Sequence, residues 1–168
     1  MMAIAVTHAY VPRRAVTPSP AASWTVKWAG VVRGLHLIDA GYSGTATSPD
    51  WAAAMVQFCE DCYHLQDWIK SDPAVSPSVQ AAVRPFLDSG AAPCINMAAD
   101  VINTSKHRTR NRGAQARATL VELADSDAVT ITVESVYDGV TTLWDGQAIA
   151  RRSVAEWLTF FAAQGLRP

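Results

Sequence analysis

Two stretches of this 168-residue chain gather the side chains best suited to proton transfer or ligand chemistry. Glu60, Asp61, His64 and Asp67 share one helical stretch, and Asn96, Asp100, Asn103, Lys106 and His107 follow later at helical steps. A carboxylate one turn from an imidazole fixes its tautomer and raises its basicity, which suits a general base or a metal ligand. Asn and Asp are poor helix formers, so a line of them at 96, 100 and 103 needs a reason beyond local stability. If the two stripes meet, His64, His107, Asp67 and Asp100 form the catalytic set, while Asn103, Lys106, Arg108 and Arg110 hold a ligand. The basic run Lys106, His107, Arg108, Arg110, Arg112 and Arg117 can hold phosphates, and Asn111 and Gln115 add hydrogen bonds. With His64 and His107 as the acid–base pair, this set would permit metal-independent RNA cleavage. The plainer reading makes His64 a flanking histidine and both stripes structural polar faces, with the cations favouring the C-terminal end of their helix.

Other chemistries find less support. Cys59 and Cys62 form a C-x-x-C, but Cys62 falls in an apolar stripe and no second such pair follows, which argues against zinc or a redox dithiol. No His-Glu-x-x-His or Glu-x-x-His spacing is present, so no metal and no cofactor is assigned. Ser43, Ser89 and Ser105 lack a Gly-x-Ser-x-Gly context, and no phosphate-cradling glycine loop or dinucleotide fingerprint occurs.

A net charge of -1 gives no global pull toward nucleic acid or anionic membrane. The 49% hydrophobic fraction and six Trp fit a packed core. Six Trp also exceed what a monomer surface accommodates, so a homo-oligomer interface, most simply a dimer, is expected. The three cysteines fit a reducing cytoplasm, and no apolar run reaches the ~18 residues of a membrane span. Met1 to Val11 lacks the basic start of a signal peptide.

The positioning elements follow from periodicity. Residues 1–20, broken by Pro12, Pro18 and Pro20, read as an N-terminal arm, and 21–168 as a single domain. Trp24, Trp28, Val31, Leu35 and Ile38 mark one helix, followed by a loop through Gly41, Gly44 and Pro49. Trp51, Met55, Phe58, Cys62, Leu65 and Ile69 mark a second helix ending before Asp72-Pro73. Ser76-Pro77 opens a third, shorter helix to about Leu87, with Val79, Val83, Phe86 and Leu87 inward, which Pro85 should kink or shorten. A fourth runs from Pro93 to about His107 on Ile95, Ala98, Ile102 and Ser105. Alternating residues then predict strands over 118–123 and 129–136, joined through Asp125–Asp127. Asp138-Gly139 predicts a hairpin turn into Val140–Leu143, and Asp145-Gly146 signals another turn. Ser153 and Glu156 at capping-box spacing open a closing helix with Val154, Trp157, Leu158 and Phe161 inward and Gly165 as its stop. The result is an α+β fold: an N-terminal bundle of three to four helices, a small antiparallel meander and a C-terminal helix.

The run from Phe58 to Ile69, with Asp100 to His107 after it, resembles small uncharacterised bacterial and phage proteins. Those carry a His-Leu-x-Asp-Trp helix and an Asp-x-x-Asn-x-x-Lys-His helix. The likeness spans the middle third, more loosely Asp145-Gly146 and the Trp157 helix, and implies a site without naming its chemistry. A more distant likeness is to HEPN domains, helical bundles that often act as RNases through an Arg-x(4–6)-His motif. Here Arg108 to Arg112 follow His107 instead of preceding it. The expectation is a cytoplasmic accessory or binding protein of phage or mobile-element origin, with a protein partner. Its polar cluster serves as a structural network or small-ligand pocket. An RNase is the alternative.

Overall fold

Periodic apolar stripes and well-placed stops set the order of elements in the computed structural model, which describes residues 23–46, 50–106, 115–122, 129–137 and 139–168. The arm expected over 1–20, the loop at 125–127 and the basic segment 107–114 lie outside the described residues. The elements are α1 (Trp24–Tyr42), α2 (Trp51–Ser71), α3 (Pro77–Asp88), α4 (Pro93–Lys106), β1 (Gln115–Glu122), β2 (Val129–Tyr137), β3 (Val140–Asp145) and α5 (Gly146–Gln164). Four helices, a three-stranded antiparallel meander in the order β1-β2-β3, and a closing helix make an α+β fold.

The α2 stripe is the spine of the core: Trp51, Met55, Phe58, Cys62, Leu65 and Ile69 are all buried. Asp50 caps its start by accepting from Ala53 N at 2.8 Å, and the helix stops at Asp72 before Pro73. Trp24, Trp28, Val31 and Ile38 of α1, Ile95, Ala98 and Ile102 of α4, and Ile131 and Val133 of β2 pack into the same interior. Trp24, Trp28, Trp51 and Trp157 are buried there, so the core itself accounts for most of the tryptophan. The Trp count therefore carries no argument for an interface between copies. Trp68 is half-buried and Trp144 exposed.

Three polar ties fix the layers. Asp72 accepts from Trp24 N at 3.0 Å and Ala74 N at 2.8 Å, joining the start of α1 to the end of α2. Tyr42 Oη donates to Ile131 O and accepts from Ile131 N, both at 2.8 Å, and accepts from Gln147 N at 3.3 Å. One hydroxyl thus holds the end of α1 against β2 and the start of α5. Trp157 Nε1 donates to Cys62 O at 3.1 Å, crossing from α5 to α2.

Several expectations are corrected. Gly41 belongs to α1, and its missing side chain makes room for the Trp51 ring; a Cβ there would sit 2.5 Å from it. Pro85 does not shorten α3, which runs to Asp88, one residue past its expected end, with packing of Val83 and Leu87 outweighing the lost backbone donor. β1 begins at Gln115, three residues before its expected start. Asp145-Gly146 is a helix start rather than a hairpin turn: Asp145 Oδ1 accepts from Ala148 N at 2.6 Å and caps α5. α5 therefore begins well before Ser153, which is buried in its middle, and Glu156 caps a different helix. Leu158 is exposed, and Phe160 takes the inward place.

Gly146 sits hard against β2, where an added Cβ would lie 2.9 Å from Ile131 O and 3.0 Å from Ile131 Cβ. A backbone oxygen cannot swing aside, so Gly146→Ala is expected to destabilise by ~1–3 kcal/mol through overpacking. A lower urea midpoint at unchanged slope would show it; an unmoved midpoint would mean that α5 shifts freely on the sheet.

Candidate functional site

The sequence-selected residues divide between two outer helix faces. Cys62 of α2 and Ala98 of α4 point into the shared core. Two residues further on, at about 200° round each helix, His64 and Asp100 project from the opposite side. His64 Nδ1 lies 3.3 Å from Asp67 Oδ2, and Lys70 Nζ lies 2.9 Å from Asp67 Oδ1. Burial would raise the Asp67 carboxyl, but Lys70 and His64 outweigh it and lower it below its ordinary value. The described contacts of His64 and Asp67 stay on α2, with the Tyr63 ring the nearest aromatic neighbour of His64. Asp61 faces another way. It accepts from Lys27 Nζ at 2.6 Å and Gln57 Nε2 at 3.3 Å, tying α1 to α2.

On α4, Asn96 Nδ2 donates to Leu87 O at 2.9 Å, satisfying a carbonyl at the end of α3. That supplies the structural reason for one amide of the stripe. Asp100 and Asn103 are half-buried. The Lys106 side chain, His107, Arg108 and Arg110 lie outside the described residues. The structure thus brings together His64, Asp67 and Lys70, and sets Asp61 apart with α1.

A different site appears where the helical layer ends beneath the last strand. The β2–β3 register pairs Val133 with Trp144, which puts Trp144 on the same sheet face as buried Val133. The helices do not fully cover β3, and Trp144 stays 41% exposed. Between it and the first turns of α4 and α5 opens a cleft of about 360 Å³, bordered by Cys94, Met97, Trp144, Asp145, Ile149 and Arg152. The indole is held in place by Nε1 donating to Ser135 Oγ at 2.8 Å.

The charges around this cleft are unequal in their commitments. Glu156 reaches from α5 to α4, its two carboxylate oxygens accepting from Cys94 N and Ile95 N at 3.0 Å each. A carboxylate at a helix start satisfies orphan donors and complements the helix dipole. Asp145 is bound to Ala148 N. Arg151 pairs with Asp39 of α1 at 3.0 Å. Arg152 has no hydrogen bond or ion pair among the described residues. Burial, then the neighbouring Glu156, pushes the Cys94 thiol up to about 11, so it stays protonated near neutral pH. Cys59 and Cys62 are more deeply placed. Burial pushes Cys59 well up, and Cys62 to about 12 despite the smaller opposing pull of Trp157 and Ser153. The Ser153 hydroxyl lies near enough to favour that thiolate, yet is buried without a bond of good geometry.

A smaller cleft of about 240 Å³ between α1 and α2 borders Asp61, whose carboxylate is already paired with Lys27. Among the described residues, no three His, Cys, Asp or Glu side chains are grouped to hold a metal ion. No described helix is long and apolar enough to cross a membrane. No family model, curated protein or solved structure matches the chain. The chemistry of the site therefore rests on its own geometry.

The cleft was hidden in the sequence because Trp144 and Arg152 belong to different elements and meet only through the β3–α5 junction. The available signal was Leu143-Trp144, two large apolar neighbours in a strand, which must place one on each sheet face.

Proposed function

We propose that this chain is a ligand-binding accessory protein, and that the Trp144 cleft is its binding site. One observation carries the reading: an uncommitted guanidinium and an exposed indole flank an apolar hollow whose other polar groups are satisfied. Ligand pockets combine an apolar lining with few orienting polar groups in this way. The protonated Cys94 thiol offers a contact surface, not a nucleophile. On this reading His64, Asp67 and Lys70 form a surface ion network of small energetic weight. The three cysteines are free and buried, which supports a cytoplasmic setting. β3 forms one edge of the sheet and presents Val140 and Leu143 at 65% and 67% exposure, which supports pairing of two copies or a protein partner there.

Ala148 is exposed on the first turn of α5 at the cleft wall, so Ala148→Trp fills the hollow without entering the core. In a ligand-observed NMR screen of small aromatic fragments, hits on the full chain should disappear in this variant. Hits that persist, or none at all, would overturn the assignment. The RNase reading retains one supporting observation, the His64–Asp67 contact that would set the imidazole tautomer. If the purified chain cleaves RNA, and His64→Ala and His107→Ala each abolish cleavage at unchanged melting temperature, that reading replaces this one.

A further inference from the structure

Resting on the cleft as the binding site, we infer that its ligand is a small aromatic carboxylate, the ring laid on Trp144 and the carboxylate held by Arg152. Size comes first. About 360 Å³ suits a one- or two-ring molecule and falls near the lower end of ordinary ligand pockets, ~300–1,000 Å³. Shape comes next. Met97 and Ile149 line the hollow, and the indole is fixed by its bond to Ser135, so a flat apolar body has a rigid face to stack on.

Charge then selects the functional group. Three ionised side chains face or adjoin the hollow: Arg152, Asp145 and Glu156. Glu156 is held by two backbone donors and Asp145 by one, and both serve to start a helix. A cationic ligand would have to share those carboxylates with the caps. Arg152 needs no such exchange, and its planar fork matches a carboxylate with two parallel hydrogen bonds. A multiply charged phosphate ester fits less well, since a single guanidinium would face its charge while Asp145 and Glu156 repelled it.

Isothermal titration calorimetry of the full chain with naphthylacetate, naphthylethanol and naphthylethylamine tests this. The acid should bind about tenfold or more tightly than the alcohol, the margin of one charged hydrogen-bonded contact. Arg152→Gln should erase that margin by weakening the acid far more than the alcohol, and Arg152→Lys should restore part of it. Trp144→Ala should weaken acid and alcohol alike. Arg152 is exposed and bonded to nothing described, so its variants are expected to melt with the wild type. Equal binding of acid and alcohol, both lost in Ala148→Trp, would overturn the carboxylate class and leave the cleft as a binding site. Tighter binding of the amine would likewise overturn it in favour of a cation on Asp145. If none of the three binds, the inference and the site assignment fall together.

Discussion

Trp157→Ala should lower the unfolding free energy by ~3–5 kcal/mol, the usual loss for a large aromatic removed from a core. Trp157 is completely buried where α5 crosses the bundle. Its ring stacks on Phe161 at 5.9 Å and meets Phe160 edge-on at 5.8 Å, with Phe86 of α3 at 6.0 Å. Removing it hollows the contact that joins α3, α5 and α2 at once. The indole N–H also leaves Cys62 O, a smaller loss because that carbonyl lies within a helix. A domain of this size holds only ~5–15 kcal/mol in all, so a large share disappears. Urea denaturation gives the measurement, with Leu158→Ala beside it as the exposed neighbour expected to change stability by no more than ~0.5 kcal/mol. Equal losses at the two positions would mean that the aromatic cluster is not the core it looks to be.

Asp72→Asn is the second large effect, and pH reveals its origin. Asp72 is buried, and its two oxygens take the Trp24 and Ala74 amides, one each. An asparagine presents an NH2 where one oxygen was, leaving a covered donor facing a donor at a cost of ~1–3 kcal/mol. The amide bonds from Trp24 and Ala74 hold the Asp72 carboxyl below its ordinary value, with burial a weaker opposing influence. The sign follows from linkage. A carboxyl whose folded pKa is depressed stabilises the fold fully above its unfolded pKa, and that stabilisation is lost as pH falls through the folded pKa. The wild type should therefore outlast Asp72→Asn by the widest margin near neutral pH. The margin should shrink below about pH 4, where unfolded carboxyls begin to protonate. Asp67 is also depressed, so some acid sensitivity persists in the variant. A gap that stays constant from pH 7 to pH 3 would show that shape, not ionisation, makes Asp72 matter.

Local patterns in the sequence determined most of the helix positions of this protein and the turn between β2 and β3. The α2 stripe from Trp51 to Ile69 could be read because a helix's hydrogen bonds and side-chain period span only a few residues, and Asp50 and Pro73 mark its ends. The turn between β2 and β3 could be read because a tight hairpin needs a left-handed residue, and Gly139 takes φ +77°. The His64–Asp67 contact follows from the same three-residue spacing. Tertiary structure alone decided the rest. Ser153 and Glu156 have the spacing of a capping box, yet the Glu156 carboxylate serves the amides of α4, and local spacing is the same whichever helix receives it. Asp145-Gly146 spells a hairpin turn or a helix start equally well. The choice fell to helix because Gly146 can pack directly on Ile131 and Gln147 can reach Tyr42. The cleft depends on strand register, which sets the face Trp144 occupies, and on the seat of α5, which brings Arg152 beside it. Both are fixed by packing between residues far apart in the chain, and no short-range pattern encodes such meetings.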